Sequence, residues 1–201
     1  MTVETPAAVV DLGRLERNLE RWQEHCDRVG LANRPHVKTH RSIEIARRQL
    51  ALGAVGITCQ KLGEAEVMAE GGCTDILVSY NILGERKLER VRRLLDRAVL
   101  TVVADHPDLL PGLGAAAAGA SRPLRVLVEC DTGLGRNGVA TPQAAAALAE
   151  TMNKPDNKMF RVMPGRFMLV VPSSNYVHRP KAAVAPPIYQ IHPLRPSSPR
   201  T

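Results

Sequence analysis

The chain has 201 residues, of which 44% are hydrophobic and only 3% aromatic, so we expect one domain, or one domain with an appendage, and a core mainly of Leu, Val and Ala. No apolar run approaches the roughly 20 residues of a membrane helix, and the N-terminus has no basic-then-apolar leader, so neither a membrane protein nor a secreted one is expected. The four cysteines are scattered, without a CxxC pair or zinc-finger spacing, which is typical of reduced thiols in a cytoplasmic protein.

The net charge of +7 is unevenly distributed along the chain. Residues 151–201 hold 8 of the 27 Lys and Arg, nine of the 15 prolines and one acidic residue, Asp156, whereas residues 1–150 have 19 basic and 19 acidic residues. This change predicts a domain boundary at residue 150, followed by a largely disordered tail in which only the apolar run 167–171 could form a strand. Nucleic acid could bind so basic a tail, but without patterned arginine and aromatic residues a solvated tail is favoured.

Residues 1–150 alternate strand and helix patterns with short connections, as expected for a parallel sheet covered by helices. The predicted strands are 6–12, 34–38, 54–60, 75–80, 99–104 and 124–131, and the predicted helices are 11–29, 42–52, 63–71, 85–97, 105–120 and 141–150. Ser42, Asp105 and Thr141 have the residue types and positions of helix N-caps. The first helix has one apolar face, formed by Leu12, Leu15, Leu19 and Trp22.

The stretch from Arg34 to His40 carries the strongest functional signal. Pro35 disfavours the α region for the residue before it, so residues 34–38 are expected to form a strand that ends at Lys38. In a parallel α/β protein, the end of a strand lies at the face where catalytic groups gather. A poorly solvated amine there is partly neutral and nucleophilic. A solvated surface lysine is the competing interpretation, but the position of Lys38 and its two histidine neighbours favour a functional one.

Residues near Lys38 in the expected fold are further candidates. His36 lies two residues earlier, on the same side of the expected strand, and Gln60 ends the next strand. A capping or loop hydrogen bond is as good an explanation of Gln60 as a ligand contact. His40 is a candidate proton carrier, although a loop histidine more often has a structural role. Glu64 fits a helix start, where the helix dipole favours a carboxylate.

The sequence resembles the D-threonine aldolase and D-serine dehydratase family. The resemblance is carried by the blocks 6–12 (PAAVVDL), 34–40 (RPHVKTH), 44–50 (EIARRQL), 56–66 (GITCQKLGEAE) and 129–138 (ECDTGLGRNG). The family belongs to the alanine-racemase-type, pyridoxal-phosphate-dependent barrels, so the resemblance implies an α/β fold that is part of a (β/α)8 barrel. The five barrel strands that it implies contain Lys38, Gln60, Tyr80, Ala104 and Asp131.

The resemblance covers about residues 5–150 and then stops. It implies that the first strand, 6–12, is not a barrel strand, because in such proteins this strand packs with a C-terminal β domain. Three barrel strands and that second domain are expected to be missing, so the abrupt change of sequence looks like a truncation or a shifted reading frame.

The resemblance also implies the chemistry of the site. Lys38 would form a Schiff base with pyridoxal 5'-phosphate, and Arg136 would donate to the phenolic oxygen of the cofactor ring. His36 and Gln60 would lie beside the cofactor. The substrate would be a D-amino acid whose bond is broken while the ring withdraws electrons. The aldolases and the dehydratases of the family are too similar over this segment to be separated.

The glycine-rich block 133–138 (GLGRNG) has a second interpretation, because it also matches the dinucleotide pattern GxGxxG. That pattern requires a helix that starts inside it and an acidic residue about 20 positions later, at the end of a strand. The helix expected at Thr141 begins too late, and no strand precedes Asp156. The family role of Arg136 is therefore favoured over a dinucleotide site, with a glycine-rich turn and a solvated arginine as the remaining alternative.

The enzymes of this family also use a divalent metal, held by a His-x-Cys or His-x-Asp element in the C-terminal domain. Here His178 is followed by Arg-Pro and His192 by Pro-Leu, so the element is absent and no metal ligand is predicted. Three interpretations remain: a D-threonine aldolase-like lyase of impaired activity, a pyridoxal-phosphate-binding protein without turnover, and a non-enzymatic remnant. In the last, unpaired strand edges favour homo-oligomers or aggregation.

Overall fold

A parallel five-stranded sheet forms the centre of the computed structural model, which describes residues 4–153 and 160–162. Its strands are β1 Ile57–Cys59, β2 Asp75–Val78, β3 Val99–Ala104, β4 Leu124–Val128 and β5 Phe160–Val162. The helices are α1 Leu12–Arg28, α2 Ile43–Ala51, α3 Leu62–Glu70, α4 Glu85–Leu95, α5 Leu109–Ala117 and α6 Pro142–Met152. The strands pair in the order β1-β2-β3-β4-β5. Because this order never reverses, the sheet lacks the switch point of a doubly wound fold and has the sequential order of a barrel.

Side chains that accept hydrogen bonds from backbone N–H groups fix the start of three helices. Asp11 caps α1 through the N–H of Arg14, Ser42 caps α2, and Thr141 caps α6 just before the proline at its first position. Each cap satisfies a donor that would otherwise lack a partner within the helix. The starts predicted at Ser42 and Thr141 are therefore confirmed.

One face of the sheet packs against helices α2–α6. Two rows of register partners on this face are almost completely buried: Ile57, Ile76, Leu100 and Leu124 in one, and Cys59, Val78, Val102 and Val126 in the other. They form a single core with residues of the helices, among them Ala46, Met68, Leu94, Leu113 and Leu148. Because side chains alternate along a strand, the residues between these rows point to the opposite face, which is the interior of the partial barrel.

At the amino-terminal end of the strands, the interior face holds a charged cluster. The guanidinium of Arg34 pairs with Oδ1 of Asp75 over 2.8 Å, and that of Arg125 reaches Oδ2 of the same carboxylate over 3.2 Å. Gly56 leaves room for this arrangement, because a Cβ at that position would overlap the Arg34 guanidinium. The cluster ties the segment before β1 to β2 and β4.

Two of the predicted strands are not formed. Residues 6–12 contain no strand before α1 begins, and the segment 34–38 makes only one strand-like bridge, between His36 and Thr58. Pro35 accepts a hydrogen bond from Thr58 N but has no N–H to donate in return. Immediately afterwards the chain winds into a 3₁₀ turn, Val37–Thr39. His36 and Lys38 therefore do not lie on one side of a strand, contrary to the prediction.

The start of α5 and the burial of α1 also differ from the predictions. Asp108 rather than Asp105 occupies the N-cap position of α5, and the carboxylate of Asp105 instead accepts from Asn81 and Gly138. On α1, Leu12 and Trp22 are 56% and 58% exposed, although their spacing predicts a buried face. The amphipathic pattern thus located the helix correctly but not its packing.

The ordered sheet continues past the predicted domain boundary at residue 150. Helix α6 ends at Met152, and β5 pairs in parallel with β4. The composition of the tail concealed this strand, since basic residues and prolines surround it. The apolar run 167–171 lies outside the described residues.

Candidate active site

Lys38 lies at the carboxyl-terminal edge of the sheet, in the 3₁₀ turn that follows the bridge between His36 and Thr58. Val37, at the start of this turn, is completely buried, whereas Lys38 is only partly buried. The buried valine anchors the turn, and Lys38 therefore lies at the edge of the sheet where parallel α/β proteins place catalytic groups.

The imidazole of His36 is the immediate neighbour of this lysine. Its Nδ1 accepts a hydrogen bond from the backbone N–H of Lys38 over 3.3 Å, and its Nε2 lies 3.3 Å from Oγ of Ser79. Burial, and then the charge of Lys38, lower the pKa of His36 to about 4. The ring is therefore uncharged near neutral pH, and because Nδ1 accepts, its proton resides on Nε2.

Ser79, directly after β2, is a site residue that the sequence did not reveal. Its backbone N–H donates to the carbonyl of Cys59 over 3.0 Å, and its hydroxyl lies 3.3 Å from the same oxygen. It links the imidazole to the ends of both β1 and β2. The available signal was its spacing of two from Leu77, which places a polar residue on the interior face just beyond a buried strand.

Gln60 lies at the end of β1, beside an open cleft of about 310 Å³ that Arg41, Lys61, Glu64 and Tyr80 also line. Its backbone N–H donates to Oε2 of Glu64 over 2.8 Å, and the other oxygen of this carboxylate is 3.4 Å from Nε of Arg41. Glu64 thus lies in the first turn of α3, as its position predicted. The role of Gln60 beside a cofactor stays a prediction.

A second group of polar residues lies further along the same edge. The carboxylate of Asp105, after β3, accepts from Nδ2 of Asn81 over 2.7 Å and from the N–H of Gly138 over 2.9 Å. The pKa of Glu129, after β4, is raised by burial and then by the charge of Asp105, while a hydrogen bond from Asn137 acts in the opposite direction. This group holds one end of the glycine-rich loop against the sheet.

Arg136 is exposed on that loop, which Cys130 and Val139 close by a strand-like bridge. Its charge lowers the pKa of Glu129, against the larger opposite effects of burial and Asp105. Within the described residues, no hydrogen bond or ion pair joins Arg136 to Lys38. The two groups share the carboxyl edge of the sheet, and their joint role at a cofactor stays a prediction.

The loop does not have the architecture of a dinucleotide site. Oδ1 of Asp131 accepts hydrogen bonds from the N–H groups of Gly133, Leu134 and Gly135 over 2.9 to 3.1 Å. The amides that would face a pyrophosphate are therefore occupied by the chain's own carboxylate. Helix α6 begins only at Pro142, beyond the glycines, as the sequence indicated.

The described residues were also compared with the requirements of a metal site and of a membrane-spanning helix. In residues 4–153 and 160–162, no three His, Cys, Asp or Glu side chains are grouped so that they could hold a metal ion. His178 and His192 lie outside the described residues. Nor does any helix in this part of the chain combine the length and apolar character needed to cross a membrane.

Comparison with known proteins identifies the family. The sequence profile of the alanine racemase N-terminal domain matches residues 10–164, which is most of the chain. The chain belongs to the alanine racemase N-terminal domain family. Membership agrees with the sequential parallel sheet.

The relatives of the chain within this family include enzymes named for D-amino acids. It is 42% identical over 148 residues to a D-threonine aldolase from an Arthrobacter species, covering 74% of this chain and 39% of the relative. It is 35% identical over 161 residues to the 3-hydroxy-D-aspartate aldolase of Paracoccus denitrificans, covering 79% and 42%. The crystal structure of D-threonine aldolase from Filomicrobium marinum superposes with a TM-score of 0.76 at 38% identity, covering 80% of this chain and 44% of that one. The fold is therefore part of an alanine-racemase-like barrel, and the chain spans about two fifths of these relatives.

Proposed function

We propose that this chain supplies the cofactor lysine of a pyridoxal-phosphate-dependent lyase acting on D-configured 3-hydroxy amino acids. The observation that carries the proposal is the partly buried Lys38 at the carboxyl edge of the sheet, beside an imidazole that is uncharged near neutral pH. The names of the relatives support the substrate class, since they include D-threonine aldolase and 3-hydroxy-D-aspartate aldolase. The activity of a whole enzyme is part of the proposal, because the chain spans 39% to 42% of those relatives.

The described residues fit the ring end of the cofactor. A primary amine and a guanidinium lie at one edge of the sheet, and these are the groups that an aldehyde and a phenolic oxygen require. Lys38 would hold the aldehyde carbon, and Arg136 would donate to the phenolic oxygen. Gln60 would contact the ring from the end of β1. The loop amides at 133–135 are not free for its phosphate, since Asp131 occupies them.

When bound, pyridoxal phosphate withdraws electrons from the bond that is broken at the α-carbon of the substrate. The chain's own groups then divide the remaining tasks. Nζ of Lys38 can take up or return a proton within reach of the substrate. The imidazole of His36 contributes no charge near neutral pH, so it does not repel the lysine ammonium. These residues do not decide between an aldolase and a dehydratase. Nor do they supply the ligands of the divalent metal expected for the family.

The proposal is tested by covalent capture. The purified chain is mixed with pyridoxal phosphate, the yellow absorbance is recorded, borohydride is added, and the labelled lysines are located by peptide mass spectrometry. Lys38→Ala should abolish the absorbance, whereas Lys61→Ala, a matched change at the neighbouring cleft, should leave it. Turnover is followed with D-threonine, D-serine and D-3-hydroxyaspartate, with the L-enantiomers as controls.

Each outcome separates the interpretations. Labelling of Lys38 together with turnover of a D-substrate supports the lyase. Labelling without turnover supports instead a protein that binds the cofactor but does not act on amino acids. Equal labelling of Lys38 and Lys61 contradicts both, because it would mean that Lys38 reacts only as a surface amine.

A further inference from the structure

We propose that His36 is a positioning residue for Lys38, which it fixes to the ends of β1 and β2 through Ser79, and that it does not itself contact the cofactor. The inference rests on the proposed role of Lys38 as the cofactor lysine. It replaces the expectation that His36 lies against the cofactor ring, and it gives Ser79 a function that its sequence context did not suggest.

The geometry uses both nitrogens of the ring. Nδ1 accepts from the N–H of Lys38 over 3.3 Å, and Nε2 lies 3.3 Å from the hydroxyl of Ser79, a residue 43 positions away in the chain. Ser79 is in turn bound twice to the carbonyl of Cys59. Because neither nitrogen remains free, the ring has no hydrogen-bonding group left for a ligand.

The direction of the hydrogen bonds is consistent along this chain of contacts. The Lys38 N–H donates to Nδ1 of His36, the proton on Nε2 donates to Oγ of Ser79, and the Ser79 hydroxyl donates to the Cys59 carbonyl. A protonated ring would place a second donor opposite the Lys38 N–H and a positive charge beside its ammonium. The arrangement therefore requires a neutral imidazole with its proton on Nε2.

The charged groups around the ring come from two elements. Burial and the charge of Lys38, on the same turn, both favour the neutral ring, and together they outweigh Glu64, on α3, which favours the protonated one. The partners from the strands are uncharged, namely the backbone of Thr58 on β1 and the hydroxyl of Ser79 after β2. The neutral state is thus a property of the site as a whole.

The imidazole attaches the turn that carries Lys38 to the end of β2, in addition to the anchor that the buried Val37 provides. The turn is only three residues long, and its internal hydrogen bonds run to the carbonyl of Val37 from the N–H groups of His40 and Arg41. These bonds shape the turn but do not attach it to β2. Since His36 makes that attachment, losing it should leave the amine present but poorly oriented, and poor orientation slows a covalent reaction.

Four variants test whether the contact between His36 and Ser79 orients Lys38. His36→Asn keeps a side-chain acceptor for the Lys38 N–H but is too short to reach Ser79, and Ser79→Ala removes the far partner while keeping the imidazole. Ser79→Thr restores a hydroxyl and is the rescue. Thr39→Ala is the matched control, since it removes another hydroxyl hydrogen bond of the same turn, the one to the carbonyl of His36.

The main readout is the rate at which borohydride-fixed label accumulates on Lys38, with Lys61 and Lys87 in the same digest as references. Both pyridoxal phosphate and butyraldehyde are used as probes. We expect His36→Asn and Ser79→Ala to slow labelling of Lys38 on the order of 10-fold relative to the reference lysines, and Ser79→Thr and Thr39→Ala to leave it unchanged. Wild-type labelling of Lys38 in Ser79→Ala would overturn the inference.

A second readout needs no cofactor. ¹⁵N NMR of the imidazole at pH near 7 should show the tautomer with its proton on Nε2 in the wild type and a mixture of tautomers in Ser79→Ala. A charged ring, or one with its proton on Nδ1, would contradict the inference. If pyridoxal phosphate fails to label Lys38 while the tautomer and the butyraldehyde rates behave as expected, the proposed function fails and the positioning role of His36 stands.

Discussion

The backbone N–H of Gly138 donates to Oδ2 of Asp105 over 2.9 Å, which ties the glycine-rich loop after β4 to the end of β3. The second oxygen of this carboxylate accepts from Asn81, which follows β2. One side chain thus joins segments from three consecutive strands at the edge where Lys38 lies. The loop that carries Arg136 owes its position to this contact as well as to its own glycines.

The first prediction concerns Gly138→Ala. Gly138 has a φ of +103°, and a Cβ there would overlap the backbone of Cys130 and Asp131. The left-handed conformation alone costs about 1–2 kcal/mol for a residue with a side chain, and the overlap adds to it. We expect the free energy of unfolding to fall by more than about 2 kcal/mol in urea denaturation.

Gly133→Ala is the matched control for this change. Gly133 has a φ of +106°, but no atom lies within 4 Å of a Cβ placed on it. It should therefore show only the conformational cost, about 1–2 kcal/mol. Equal losses at the two positions would mean that the backbone of Cys130 and Asp131 moves aside without cost, so that this end of the loop is not held closely.

The second prediction concerns the charged cluster inside the partial barrel. The side chain of Arg34 is only 12% exposed, so Arg34→Met leaves Asp75 in a poorly solvated place with Arg125 as its remaining partner. We expect a loss of about 1–3 kcal/mol in the free energy of unfolding. Urea denaturation of Arg34→Met, Asp75→Asn and the double variant measures the coupling between the two residues.

Arg97→Met is the matched control in this series. Arg97 pairs with Glu70 over 3.1 Å, but the two side chains are 58% and 66% exposed. Surface pairs of this kind contribute about 0–1 kcal/mol. If Arg97→Met lowered the free energy of unfolding as much as Arg34→Met, the interior cluster would not stabilise the fold more than a surface ion pair does.

The third prediction concerns pH and Glu129. Burial, and then Asp105, raise the pKa of this carboxyl above its ordinary value of 4.5, so the folded state retains a proton that the unfolded chain has already lost. Stability therefore falls as the pH rises from 4.5 to the folded pKa. Glu129→Gln cannot titrate, so its free energy of unfolding should fall less than that of the wild type over this interval. If the free energies of unfolding of the two proteins changed equally with pH, the pKa of Glu129 would not be raised in the folded state.

The sequence predicted those elements that local signals specify. β3 has the predicted bounds because a run of β-branched residues is bounded by turn residues, and α2 and α6 start at Ser42 and Thr141 because a side-chain cap acts within three residues. The 3₁₀ turn at Lys38 was missed because its cause is not local. The turn follows the pairing of His36 with Thr58, and these two residues become neighbours only in the folded chain.

The same reason explains why part of the site was missed. Lys38 and Arg136 are predicted site residues because they belong to sequence blocks, whereas Ser79, Asn81 and Asp105 have no distinctive neighbours in the chain. Their contacts span 43 positions from Ser79 to His36 and 24 from Asn81 to Asp105. Contacts at such separations depend on strand register, and register becomes known only when the sheet is assembled.

The last prediction concerns the behaviour of the Lys38 turn in acid. The pKa of His36 is lowered from 6.5 to about 4, so the unfolded chain binds a proton at this residue where the folded chain does not. As the pH falls from 6.5 towards 4, stability is lost, because unfolding is coupled to proton uptake. His36→Asn has no group that titrates in this range and should lose less stability than the wild type when urea midpoints are compared across it.

His40→Asn is the matched comparison, because burial also lowers the pKa of His40. This variant should likewise lose less stability in acid than the wild type, by an amount independent of the effect of His36→Asn. Because His36, and not His40, accepts from the N–H of Lys38, protonation of His36 should also slow aldehyde labelling of Lys38 relative to Lys61 at the same pH. If His40→Asn alone abolished both effects, the imidazole of His36 would not be the group that holds the lysine in place.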